Sequence, residues 1–133
     1  MSVYVDTSAL LALLDSDESH HREAARQWAR LVEANEPMLA GSYVLVETLA
    51  VAQRRLGMEA LRALERDVLP LVETEWIGEE IHRVAAAALL GANRRGLSLV
   101  DCASFEIMRR RGLTRAFAFD RHFAEQGFEV LAS

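Results

Sequence analysis

The stretch SVYVDTSALLALLD, residues 2–15, decides the fold. Val3, Tyr4 and Val5 form an apolar run too short for a helix and suited to a buried strand. Asp6, Thr7 and Ser8 follow as helix-starting residues, and the pattern then turns helical over Ala9 to Leu14. A strand that passes straight into a helix opens a β–α unit, and the strand ends on a carboxylate.

The same alternation recurs outward along the chain. Residues 20–34 predict a helix with Ala25, Trp28, Ala29 and Val32 on one face, and Pro37 to Gly41 a second strand. Ser42 is expected to cap a helix to about Leu56, closed by Gly57, with a further helix over 58–69 stopped by Pro70. Residues 71–76 read as a strand and 79–95 as a long helix ending at Gly96. Ser98 caps a helix over 99–111 that ends at Gly112; then come a strand at 115–119, a helical turn and a last strand at 128–131. Strands alternating with helices predict an α/β domain with a mostly parallel sheet covered on both faces. Ligands of such sheets collect beyond the carboxyl ends of the strands.

With 133 residues and no linker, repeat or low-complexity segment, one domain over 1–133 is expected. The chain is 51% hydrophobic and 26% charged, which is the profile of a soluble globular protein. It has no apolar run of membrane-spanning length and no signal peptide at its start, so an intracellular, cytoplasmic protein without membrane contact is expected. The lone Cys102 excludes an intramolecular disulfide and a thiolate zinc cluster. All 15 basic residues are Arg, so the phosphate-loop lysine and Schiff-base chemistry are excluded. GxGxxG and GxSxG are absent. A formal charge of −5 argues against binding nucleic acid mainly through a basic surface.

Most acidic residues have an Arg one helical turn away, as Glu59 has Arg62 and Glu106 has Arg110. Four do not. Asp6 and Asp120 end apolar strands, while Glu47 and Asp101 sit among apolar neighbours on helices. Burying an unpaired carboxylate costs several kcal/mol unless it is protonated or bound to a metal (roughly 2–7 kcal/mol even for a neutral polar group). Helix capping is the competing reading for Asp6, Asp120 and Asp101, the last forming a capping box with Ser98. Glu47 lies inside its helix, where capping is not open to it; the competing reading there is a half-exposed helical Glu. Taken together, clustered carboxylates call for a hard divalent cation such as Mg²⁺ or Mn²⁺, which activates water against a phosphodiester. The Arg pairs near helix ends, His20-His21 and His122 carry weaker signals, of helix-dipole, metal or phosphate contact, and Trp28 and Trp76 are expected in the core.

Four blocks (VDTSALLALL, SYVLVETLAV, LSLVDCASFEIMRRRG and AFAFDRHFAEQGFEVL) in this order resemble the PIN-domain ribonucleases, and most closely the VapC-type toxins of toxin–antitoxin pairs. The resemblance covers Val3 to Leu131. It implies a three-layer α/β/α fold with a parallel sheet of about five strands, and Mg²⁺- or Mn²⁺-dependent endonuclease cleavage of RNA. It assigns the acidic positions to Asp6, Glu47, Asp101 and Asp120. Asp6 and Asp101 would ligate the metal, Glu47 would ligate it or orient its water, and Asp120 would act through water or hold a second ion. Thr7 or Ser8 would support the first Asp. A homodimer is implied, as is an antitoxin laid across the acidic edge. A processing nuclease without an antitoxin, or a catalytically silent PIN-like module, are the alternatives. The chain departs from the family pattern at Ala118, Val100 and Cys102, where a hydroxyl, a Thr or Tyr, and a small residue are usual.

Overall fold

The computed structural model describes residues 2–131. The first strand, β1 (Val3–Val5), is fully buried along its length, as a continuous apolar run requires of a central parallel strand. It pairs on one side with β2 (Met38–Gly41) and on the other with β4 (Arg115–Phe117). Outside these lie β3 (Val72–Glu75) and β5 (Glu129–Val130), giving a five-stranded, all-parallel sheet in the order β3-β2-β1-β4-β5. The edges are short or charged, with Glu73 and Glu75 of β3 held by Arg111.

Helices link the strands: α1 (Thr7–Leu14) and α2 (His21–Glu33) between β1 and β2, then α3 (Ser42–Leu56) and α4 (Met58–Ala63) on the way to β3. The return to β4 runs through α5 (Glu79–Ala92) and α6 (Leu99–Arg111), and α7 (His122–Glu125) precedes β5. The chain steps one way along the sheet from β1 to β2 to β3 and the other way from β3 to β4 to β5, and right-handed crossovers running in opposite directions cover opposite faces, giving the three-layer α/β/α arrangement. No helix among the described residues is long and apolar enough to cross a membrane.

Several local expectations change. The inward face of α2 carries Ala24, Trp28 and Leu31, at helical spacing, while Ala29 and Val32 face solvent. Ser42 does not cap α3; its hydroxyl accepts the Ile77 N–H across the sheet edge at 3.0 Å. The helix over 58–69 loosens after α4 into a π turn (Leu64–Val68) and a 3-10 turn (Leu69–Leu71), because Pro70 has no N–H and its ring crowds the preceding turn. Asn93 ends α5 in the left-handed conformation, short of Gly96. β4 and β5 are shorter than their apolar runs. Trp76 is 75% exposed rather than in the core, since it follows an edge strand with no neighbour to cover it.

One buried hydroxyl joins the central elements. Tyr4 donates to Ser104 Oγ on α6 at 2.7 Å and accepts the Gly41 N–H at 3.1 Å. Gly41 is closely approached: a Cβ there would lie 2.8 Å from Ile107 Cδ1 and 3.1 Å from the Tyr4 hydroxyl, so buried side chains would have to shift. Tyr4→Phe, which strands two buried partners, and Gly41→Ala, which overpacks, should each cost about 1–3 kcal/mol. Urea denaturation reads this as a lower midpoint at constant slope. An unchanged midpoint for Tyr4→Phe would show that the link adds no net stability.

Candidate active site

The strand order reverses at β1, from which the chain proceeds to β2 on one side and later returns to β4 on the other. The connections diverge there and leave a crevice at the carboxyl ends. Asp6 follows β1 directly, and its N–H extends the ladder to Phe117 O of β4 at 3.0 Å. Asp120 follows β4 after Ala118 and Phe119. The first turn of α6 brings Asp101 to the same place.

Each carboxylate is held by its own local hydrogen bonds. Asp6 caps α1, and its Oδ2 accepts the Ser8 N–H at 3.1 Å and the Ser8 hydroxyl at 2.6 Å. That hydroxyl in turn accepts the Phe119 N–H at 2.9 Å, so Ser8 couples Asp6 to the segment carrying Asp120. Asp101 accepts the Ser98 N–H while Ser98 Oγ accepts the Asp101 N–H, closing the capping box read from the sequence. Capping and clustering are therefore both present.

Asp120 is gripped by His122, whose signal in the sequence is weak. His122 donates to Asp120 Oδ1 from its backbone at 2.9 Å and from ring Nδ1 at 2.7 Å, and the same nitrogen lies 3.8 Å from Asp101 Oδ2. The other ring nitrogen, His122 Nε2, is buried and without a hydrogen-bond partner. The sequence signal was the Asp-x-His spacing, which an Asx-type turn folds back on itself. Ligand atoms of Asp101, Asp120 and His122 all lie within 4.8 Å of one another.

Asp6 is 3% exposed and Asp101 6%. Among the described residues, no arginine forms an ion pair with Asp6, Asp101 or Asp120. Burial above all, then the charges of Asp120 and Asp6, lifts the Asp101 carboxyl from the usual 3.8 to about 7, against the pull of the Ser98 N–H. Burial likewise lifts Asp6 to about 6, opposed by the Ser8 bonds and reinforced by the Asp120 charge. These are oxygen donors short of positive charge, a set that fits a hard divalent cation.

Glu47 stands apart from this cluster. It lies half-buried on α3 and lines an apolar hollow with Tyr43, Val46, Ala50, Leu99 and Val100, facing the turn of α6 that carries Asp101. Neither its carboxylate nor that of Asp6 is among the ligand atoms that meet within 4.8 Å; Asp6 is linked to them through Ser8 and the Phe119 backbone. Of the two hydroxyls expected to support Asp6, Ser8 does so, while the Thr7 hydroxyl donates to Val44 O at 3.4 Å and accepts from Thr48 at 3.3 Å, pinning α1 to α3. The arginine clusters at helix ends are partly engaged: Arg110 pairs with Glu106 and Glu80, and Arg94 with Glu125.

Residues 3–129 match the PIN domain family. The chain belongs to that family. Its relatives include the 23S rRNA-specific endonuclease VapC20 from two strains of Mycobacterium tuberculosis, 32% identical over 128 residues and covering 95% of both chains. The crystal structure of Mycobacterium tuberculosis VapC20, described as a Sarcin-Ricin loop cleaving toxin, superimposes with a TM-score of 0.83 over 95% of each chain. The VapC likeness read from the four acidic blocks agrees with both. In this PIN domain Cys102 and Ala118 are buried, and Val100 forms one wall of the Glu47 hollow.

The raised carboxyls set a pH dependence for the metal-free protein. Both groups bind protons more tightly folded than unfolded, so the stability they contribute is fully present below about pH 4 and is lost as pH rises toward about 7. With chelator present, Asp101→Asn should flatten the upper part of that fall and melt above wild type at pH 7.5. A lower melting temperature for Asp101→Asn would show that its capping bond outweighs the repulsion.

Proposed function

We propose that this PIN domain is a Mg²⁺- or Mn²⁺-dependent endoribonuclease and the toxin of a toxin–antitoxin pair, acting on RNA in the cytoplasm. The observation that carries this reading is the meeting of Asp101 and half-buried Asp120 at the switch point of the sheet, with buried Asp6 tied to the Asp120 segment through Ser8 and no arginine paired to any of the three among the described residues. The similarity along 95% of the chain to an rRNA endonuclease supports it. A bound divalent ion supplies charge neutralisation and a water acidic enough to attack a phosphodiester at neutral pH.

Asp101, Asp120 and Asp6 would hold the ion, with Glu47 approaching from α3 to ligate it or to orient the attacking water. Ser8 and Ser98 fix the carboxylates of Asp6 and Asp101, so little reorganisation is needed when substrate arrives. His122 orients Asp120 through Nδ1 and keeps the carboxylate turned toward Asp101. As a toxin the protein would be dimeric and silenced by an antitoxin, whose cationic side chain would replace the ion among the carboxylates.

Purified protein should cleave structured RNA with Mg²⁺ or Mn²⁺ and lose activity in chelator. Asp101→Asn and Asp6→Asn should each lower the rate by more than about a hundredfold. His122→Asn should fall within the roughly 10–100-fold that partners orienting a metal ligand contribute. In cells, the wild type alone should arrest growth and Asp6→Asn should relieve the arrest. Cleavage in vitro without growth arrest would point to a processing nuclease, and no cleavage with either metal to a silent module.

A further inference from the structure

A second feature adjoins the acidic cluster. A hollow of about 310 Å³ is bordered by the rings of His20 and Phe119, by Arg121, by the carboxylates Glu23 and Asp120, and by small apolar side chains. Its volume is at the lower end of small-molecule sites, roughly 300–1,000 Å³. The rings of His20 and Phe119 stack face to face, with centroids 4.4 Å apart and planes 15° from parallel. His20 immediately precedes α2 yet makes no side-chain capping bond, and it remains exposed. Its ring therefore does little for the fold, and leaves aromatic surface open to a further stacked ring. Arg121 borders the same hollow; its side chain is 82% exposed and its Glu125 partner is a loose 3.8 Å away. Asp120 belongs both to this hollow and to the carboxylate cluster.

The geometry points to a nucleobase subsite. One base of the RNA, beside the phosphate being cut, stacks on the His20–Phe119 pair, and Arg121 turns to that nucleotide's own phosphate. This inference rests on the RNA-nuclease reading and deepens it. Aromatic stacking accepts any base, because every base has a π-face, and the flanking arginine supplies the positive charge that the carboxylate cluster lacks. A polyanion can then approach an acidic site from its side, held by stacking and one cation.

The test uses short RNA hairpins carrying 2-aminopurine at successive positions, whose fluorescence falls on stacking. Asp101→Asn protein with Mg²⁺ binds them uncut, and the wild type is assayed for cleavage of the same hairpins. One probe position should be quenched several-fold. His20→Ala, placed on the Asp101→Asn background, should abolish that quench and weaken binding by roughly five- to a hundredfold, the range contributed by one stacked base. Phe119→Leu, which keeps the apolar volume, should do the same, while Trp76→Ala should leave the quench intact. Quenching that survives His20→Ala and Phe119→Leu, or that disappears with Trp76→Ala, overturns the subsite. No quench at any position overturns it too and leaves the hollow to a protein partner. A wild type that cleaves no hairpin contradicts the nuclease reading, and the subsite with it; cleavage without the quench contradicts the subsite alone.

Discussion

Carboxylates of like charge, out of water and without a cation, are the constraint around which this PIN domain is arranged. Asp6 sits at the end of a strand with no exposed residue, so its carboxylate cannot turn to solvent without moving the centre of the sheet. Asp101 enters from a helix whose face is buried almost throughout its first two turns. Desolvation and mutual repulsion both favour the neutral forms, and the carboxyls of Asp6 and Asp101 rise accordingly. Folding tolerates this because short-range donors hold each group: Ser8 at Asp6, Ser98 at Asp101 and His122 at Asp120.

Those donors show why capping and chemistry share residues. A helix N-terminus presents unpaired N–H groups and a favourable dipole, both of which stabilise a carboxylate. Placing Asp6 and Asp101 at the starts of α1 and α6 therefore lowers the cost of burying them while leaving oxygen lone pairs for a ligand. The Ser8 hydroxyl extends the arrangement by linking Asp6 to the Phe119 backbone, one residue before Asp120. The two strand ends are thus tied together through one side chain. Tyr4, from the strand between β2 and β4, ties α6 to the same frame through Ser104.

Much of the fold is legible in the sequence because buried parallel strands and capped helices are local signals. Val3 to Val5, the Ser98 capping box and the stop at Gly112 each follow from a few adjacent residues. What is not legible depends on neighbours distant in sequence. The inward face of α2 is set by where the sheet lies, and Ser42 is taken by the Ile77 N–H rather than by its own helix. Trp76 looks like core until the strand before it proves to be at an edge. At the site, Asp6, Asp101 and Asp120 could be chosen because no arginine lies at helical spacing. His122 was harder to find, since its grip on Asp120 exists only once the turn closes. Its placement against Asp101 needs α6 as well.

Calorimetric titration of the metal-free protein with Mn²⁺ at pH 6, repeated in buffers of different ionisation enthalpy, tests the central claim most directly. Carboxyls held near pH 6 and 7 by burial and repulsion must lose protons as a cation enters. The account predicts saturable binding with a buffer-dependent heat reporting proton release, both greatly reduced in Asp101→Asn. Binding with no proton release, or binding unchanged in Asp101→Asn, would contradict it.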